Sequence, residues 1–136
     1  MAIKADQIKL KVRLLQALWT FVILFQALVL AGLIDYQYVS GGRISSFEEA
    51  KQMLPIGIIL LMVFVFILER FYQGIKSTES AQKWLRGIVL IIGLYSILNT
   101  VGNLMAETLL EKLLFSPITV ISAIFCIQMA VKSGKA

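Results

Sequence analysis

Long apolar stretches alternate with short polar connections along the whole chain. Four stretches stand out: residues 14–34 (LLQALWTFVILFQALVLAGLI), 54–72 (LPIGIILLMVFVFILERFY), 85–106 (LRGIVLIIGLYSILNTVGNLMA) and 113–131 (LLFSPITVISAIFCIQMAV). A hydrocarbon core about 30 Å thick is crossed by about 20 helical residues rising about 1.5 Å each, and all four stretches fall within the usual range of length. Strands cannot use these runs, because an open strand in lipid leaves its backbone groups unpaired, and four spans are too few for a single-chain barrel. The pattern predicts an all-α fold: an integral-membrane four-helix transmembrane bundle, organised as a single domain over residues 1–136.

The polar punctuation refines this picture. Residues 8–13 (IKLKVR) alternate apolar and basic positions as a strand would. They abut a long apolar run with no breaker, so they are read as the basic start of the first helix, facing lipid headgroups. That run is longer than the apolar core of a signal peptide, and is expected to stay as an anchor. The first outer connection opens on Gly41-Gly42, a turn signal. SSFEEA follows, with Ser46 as helix N-cap and Glu49 three residues on, the spacing of a capping box. A short interfacial helix is expected there, lying along the outer surface before Pro55 opens the second span. Tyr36 and Tyr38 on one side, and Tyr72 and Trp84 on the other, fall where aromatic belts form.

Charge supplies a direction. Ten of the thirteen Lys and Arg residues lie in the N-terminal segment, the second connection and the C-terminus; only Arg43, Lys51 and Lys112 lie in the other two connections. The positive-inside rule therefore puts both termini in the cytoplasm. The same distribution argues against nucleic acid, despite a net charge of +5, because the cations are dealt out between spans and form no patch. Composition agrees with a membrane protein: 59% of residues are apolar and 15% charged, and mean hydropathy is +0.86. The chain has no His, which removes imidazole ligands and bases. Its one cysteine, Cys126, lies in an apolar run as a small packing residue.

Within the third span, LYSILNTVGNLMAE (94–107) is unusually polar. Asn99 and Asn103 are separated by about 40° around a helix, with Tyr95 and Gly102 on the same side. Small residues admit a neighbouring helix and amides bond across the gap, so this face is expected to glue the bundle near its outer end, to Ser116, Thr119 or Ser122. A polar vestibule for a solute or ion is the sharper alternative. At the cytoplasmic boundary, Glu69 is expected in an ion pair, with Arg70, Arg86 and Arg13 within its range of depth. Gln16, Thr20, Gln26 and Gln128 are read as polar packing groups.

No nucleophile–base pair, acidic metal pair or glycine-rich phosphate loop can be assembled from these residues. No catalytic residue, metal or other cofactor is therefore expected. The expected role is a non-catalytic accessory, structural or regulatory subunit of a membrane complex, in a bacterial inner membrane. Its partners would be the lipid bilayer and another membrane protein or further copies of itself. The second reading is a small transporter or channel subunit using the Asn99/Asn103 face.

Overall fold

The basic stretch at residues 8–13 is helical, as expected. Helix α1 runs over Ala5–Leu30 in the computed structural model, which describes residues 4–39, 43–78 and 82–133. Ile8, Val12, Leu15 and Trp19 recur at spacings of three and four and are all buried, the period that keeps one helical face on a core. The helix ends four residues before the apolar run does. Gly32 adopts φ +80°; its N–H donates to the Val29 carbonyl and the Leu33 N–H to the Leu28 carbonyl, both at 3.0 Å. These bonds satisfy the carbonyls of the last turn and need a residue tolerant of the left-handed region, here a glycine.

Helix α2 covers Phe47–Thr78. Ser46 is its cap: Oγ accepts the Glu49 N–H at 3.1 Å, an arrangement worth about 1 kcal/mol. The Glu49 carboxylate reaches one residue further out than a regular capping box requires, accepting the Ser45 N–H at 2.8 Å and the Ser45 hydroxyl at 2.6 Å. From this cap the chain continues as one helix of 32 residues, with Pro55 inside it. The segment expected as a separate short helix is thus the first two turns of α2. Pro55 removes only the N–H that the Lys51 carbonyl would have accepted. Gly41-Gly42 and Lys135 lie outside the described residues.

Helix α3 covers Lys83–Leu104. A π-helical turn at Glu111–Phe115 leads into α4, Ser116–Lys132. The molecule is an all-α four-helix bundle whose four helices are each long and apolar enough to cross a membrane. Consecutive helices are antiparallel, and the closest partnerships are α1 with α2 and α3 with α4. Both described ends of the chain therefore lie at one end of the bundle, the termini end.

Packing differs along the bundle. At the termini end Val12, Leu15, Leu68, Phe71, Val89, Ile92, Cys126 and Met129 form a continuous buried core. A second, smaller cluster of Val29, Val39, Ile44, Ala50 and Leu54 ties the α1–α2 connection to the opposite end. Between these clusters α2 buries no residue from 55 through 67, and α3 none from 97 through 105. Tyr72 belongs to the first cluster, beneath the Arg13 guanidinium at 5.5 Å from the ring centroid, and not to an exposed belt. Trp84 is exposed.

Close approach of α3 and α4 depends on Gly93. A Cβ there would stand 2.8 Å from Ile127 Cγ1 and 3.2 Å from both Cys126 Cβ and the Ile127 backbone nitrogen. Gly102, the small residue singled out from the sequence, has a different neighbour: a Cβ there would meet the Arg43 guanidinium at 3.2 Å.

Candidate functional site

The region that the two clusters leave unfilled is a cavity of about 430 Å³. All four helices and both connections at that end of the bundle contribute to it. Its floor is aromatic: Trp19 lies 5.8 Å from Phe64, and Phe64 meets Tyr95 edge-on at 5.9 Å between ring centroids. Trp19 Nε1 donates to Ser122 Oγ at 2.8 Å, and that hydroxyl donates to the Ile118 carbonyl at 2.8 Å. The indole is thereby fixed to α4 and against α2, directly above the termini-end core.

The walls carry the polar groups. Tyr95, Asn99 and Asn103 line the cavity from α3, Gln26 from α1 and Thr119 from α4. Gln26 is accommodated because α2 has Gly57 opposite it, where a Cβ would lie 3.4 Å from Gln26 Oε1. That oxygen is buried against Gly57 and has no hydrogen-bond partner among the described residues. At the far end the lining includes two charges, Arg43 from the first connection and Glu111 from the π-helical turn. Glu111 is 1% exposed, and its carboxylate accepts the Thr108 hydroxyl at 2.8 Å. Thr108 thus acts as a cap whose side chain orders the buried acid. A π turn shifts the register of the side chains that follow, and such turns recur at functional sites.

Three of the four residues picked from the third span are therefore brought together. The chemistry expected of them is distributed differently. The α3–α4 tie is made by Thr100, whose Oγ1 donates to Thr119 Oγ1 at 2.8 Å. Asn103 Nδ2 reaches the same oxygen at only 3.5 Å. Among the described residues, neither the Asn99 carboxamide nor the Tyr95 hydroxyl makes a hydrogen bond. Of the anticipated partners, Ser122 is engaged by Trp19, and Ser116 Oγ is buried without a partner among the described residues. The side chains of Asn99 and Tyr95 thus face the cavity with their hydrogen-bonding capacity intact.

This division of roles predicts a contrast. Thr100→Val should lower stability by about 0.6 kcal/mol, the average for a helix–helix hydrogen bond in a membrane. Asn99→Leu should leave the stability of the ligand-free protein unchanged or raise it. Denaturation in mixed micelles measures both, and a larger loss for Asn99→Leu than for Thr100→Val would restore the gluing role to Asn99.

At the termini end, Glu69 has a defined partner. Arg13 Nη1 donates to Glu69 Oε2 at 2.5 Å and Nη2 to Oε1 at 3.4 Å. Gln16 and Gln73 add bonds at 3.2 Å and 2.8 Å. Arg70 is exposed, and Arg86 Nε donates to the Ala130 carbonyl at 3.0 Å, tying α3 to α4. Of the cations considered, Arg13 is the one that pairs. The pair is partly exposed, with side chains 48% and 33% accessible, and ties α1 to α2. Lys11 makes the equivalent link from α1 to α4, donating to Gln128 and lying 5.1 Å from the Phe125 ring centroid.

Sequence reasoning missed Arg43 and Glu111, and treated Gln26 as simple packing. For Glu111 a signal was present: Thr108-Leu-Leu-Glu111 has capping-box spacing ahead of an apolar run. Among the described residues, no group of three His, Cys, Asp or Glu is placed to hold a metal ion. Comparison with known proteins returns no matching family model, no matching curated protein and no matching solved structure, so a function has to be sought in the chemistry of the cavity.

Proposed function

We propose that this chain is a non-catalytic, multi-pass membrane protein of a bacterial inner membrane, with both termini in the cytoplasm, and that it works as an accessory or regulatory subunit through a blind polar vestibule. In this orientation the vestibule lies in the outer half of the bilayer, and the first two turns of α2 lie at the outer surface. The supporting observation is the closed floor. Below Trp19, Phe64 and Tyr95 the helices are joined by fully buried side chains, among them Leu15, Leu68, Phe71 and Val89. A solute entering the vestibule meets this buried core, which favours holding a ligand over conducting one. The hydroxyls of Ser96 and Ser122 are committed to backbone carbonyls, and among the described residues neither is hydrogen-bonded to a carboxylate or an amine. The partner is a larger membrane protein or a second copy of this chain.

Cysteine accessibility and flux test this reading together. In a Cys126→Ala background, Asn99→Cys is expected to react with a membrane-impermeant maleimide added from outside intact cells. It should not react when the reagent is confined to the cytoplasmic side. Liposomes containing the purified protein are expected to pass ions and small solutes no faster than empty ones. Labelling from the cytoplasmic side, or flux above the control, overturns the proposal.

A further inference from the structure

We infer that the vestibule binds the uncharged, hydroxyl-bearing headgroup of a lipid of the diacylglycerol type, with the acyl chains leaving between α2 and α3. This rests on the vestibule reading and names its ligand.

The direction of entry follows from exposure. Of the helical residues lining the cavity, Met53 (51% exposed) and Leu60 (37%) on α2 and Tyr95 (40%) on α3 are the exposed ones. The α1 and α4 lining is buried or partly buried, with no exposed residue. Trp19 and Phe115 close the back, and the mouth lies between α2 and α3 on the flank that would face lipid. From the Phe64–Tyr95 contact toward the far end, α2 buries no residue from 63 back through 55 and α3 none from 97 through 105. A ligand that enters sideways from a bilayer is an amphiphile, and the slot is edged by apolar side chains that suit hydrocarbon.

The headgroup chemistry follows from the hydrogen-bonding groups inside. The Asn99 carboxamide lines the cavity, and its oxygen accepts no hydrogen bond among the described residues, so a ligand that brings a hydroxyl or N–H satisfies it. Tyr95 and Asn99 offer a phenolic O–H and a carboxamide that make no other bond among the described residues. The ligand can therefore also carry acceptor oxygens, as a glycerol ester does. The two charges in the lining, Arg43 and Glu111, are of opposite sign and sum to zero. A net charge on the ligand would enter a low-dielectric site with no counter-charge left over, which is costly. Phosphatidylcholine has acceptors but no donor for the Asn99 carboxamide oxygen. Phosphatidylglycerol has hydroxyls but carries a charge. Phosphatidylethanolamine has N–H donors and no net charge, but its cation and anion would each be desolvated in a lining whose own charges, Arg43 and Glu111, are already engaged. Diacylglycerol carries donors and acceptors with no formal charge. The cavity volume falls within the range of ligand sites.

Trp19 provides the readout. It lines the cavity yet is only 3% exposed, so bulk lipid cannot touch it. Trp84→Phe makes it the sole tryptophan, since the chain has two. In phosphatidylcholine vesicles, a minor fraction of diacylglycerol brominated on its acyl chains is expected to quench Trp19. Brominated phosphatidylcholine and phosphatidylglycerol should bind about tenfold more weakly, the effect of leaving one buried group unsatisfied. Tyr95→Phe, which keeps the aromatic contact with Phe64, and Asn99→Leu should each reduce the preference. Excess free glycerol should not relieve the quenching. Equal quenching by the three lipids, or unchanged preference in both variants, overturns the inference. Displacement by glycerol reassigns the site to a free polyol and removes the lipid. Each of these leaves the maleimide and flux results intact, so failure here is distinguishable from failure of the vestibule itself.

Discussion

Valine at position 93 is expected to unfold the bundle at a markedly lower temperature than the wild-type residue. The α3 and α4 backbones approach so closely at Gly93 that even a methyl group would sit 2.8 Å from Ile127 Cγ1 and 3.2 Å from the Ile127 nitrogen. The nitrogen is backbone and cannot rotate away, so the helices themselves must part. Overpacking a tight interface costs about 1–3 kcal/mol for small additions; Gly93→Ala should fall in that range and Gly93→Val beyond it. Gly87 on the same helix is the control, because a Cβ there meets nothing within 4 Å. Gly87→Ala should be neutral or stabilising by up to about 1 kcal/mol, the helix-propensity gain of alanine over glycine. Thermal melting in detergent separates the two sites. Similar curves for Gly93→Val and Gly87→Ala would show that α3 and α4 do not touch where the structure brings them together.

Removing the indole of Trp19 is the second large effect. The ring joins three helices, through its own position on α1, the Phe64 contact on α2 and the bond to Ser122 on α4. Trp19→Ala should cost about 3–5 kcal/mol, as large aromatic truncations do in packed interiors. It would also open the vestibule floor onto the termini-end core. Trp19→Phe keeps much of the packing and loses the N–H donor, for which about 1 kcal/mol is expected, since Ser122 Oγ retains the Ile118 carbonyl. The measurement is again equilibrium unfolding in micelles. Equal losses for the two variants would mean that packing is minor here and that the hydrogen bond carries the stabilisation.

Hydropathy located all four helices because burying backbone in lipid demands long, uninterrupted apolar segments, and that demand is written in composition alone. Helix ends were less legible. The first apolar run continues to Ile34, but the helix stops at Leu30, because the left-handed turn at Gly32 is a matter of backbone geometry that hydropathy does not register. Pro55 reads as a helix start, yet Ser46 had already begun the helix two turns earlier. The polar face of α3 was legible as a face: Tyr95, Asn99 and Asn103 do lie together. Its partner surface was not, because that depends on which helix leaves room. Gly57 admits Gln26, and Gly93 brings α4 close at a level below the asparagines. Nothing in the sequence around Gly57, Gly93 or Gly102 tells which neighbour each admits, and only the packing distinguishes them. Arg43 and Glu111 come from connections, where spacing along the chain says little about proximity in space.

The pairing of α1 with α2 and of α3 with α4 bears on biogenesis. The ties within each hairpin, such as Arg13–Glu69 and Arg86–Ala130, are closer in sequence than the α1–α4 ties of Trp19 and Lys11, and nearer contacts form faster, so the first hairpin can be complete once Thr78 has left the ribosome. The second follows in the same way, and the two halves then join along a seam held by Trp19, Lys11 and Phe64. The hollow is what remains along that seam where the halves meet least, so it comes into being only at the last step of assembly, after both hairpins are in the bilayer.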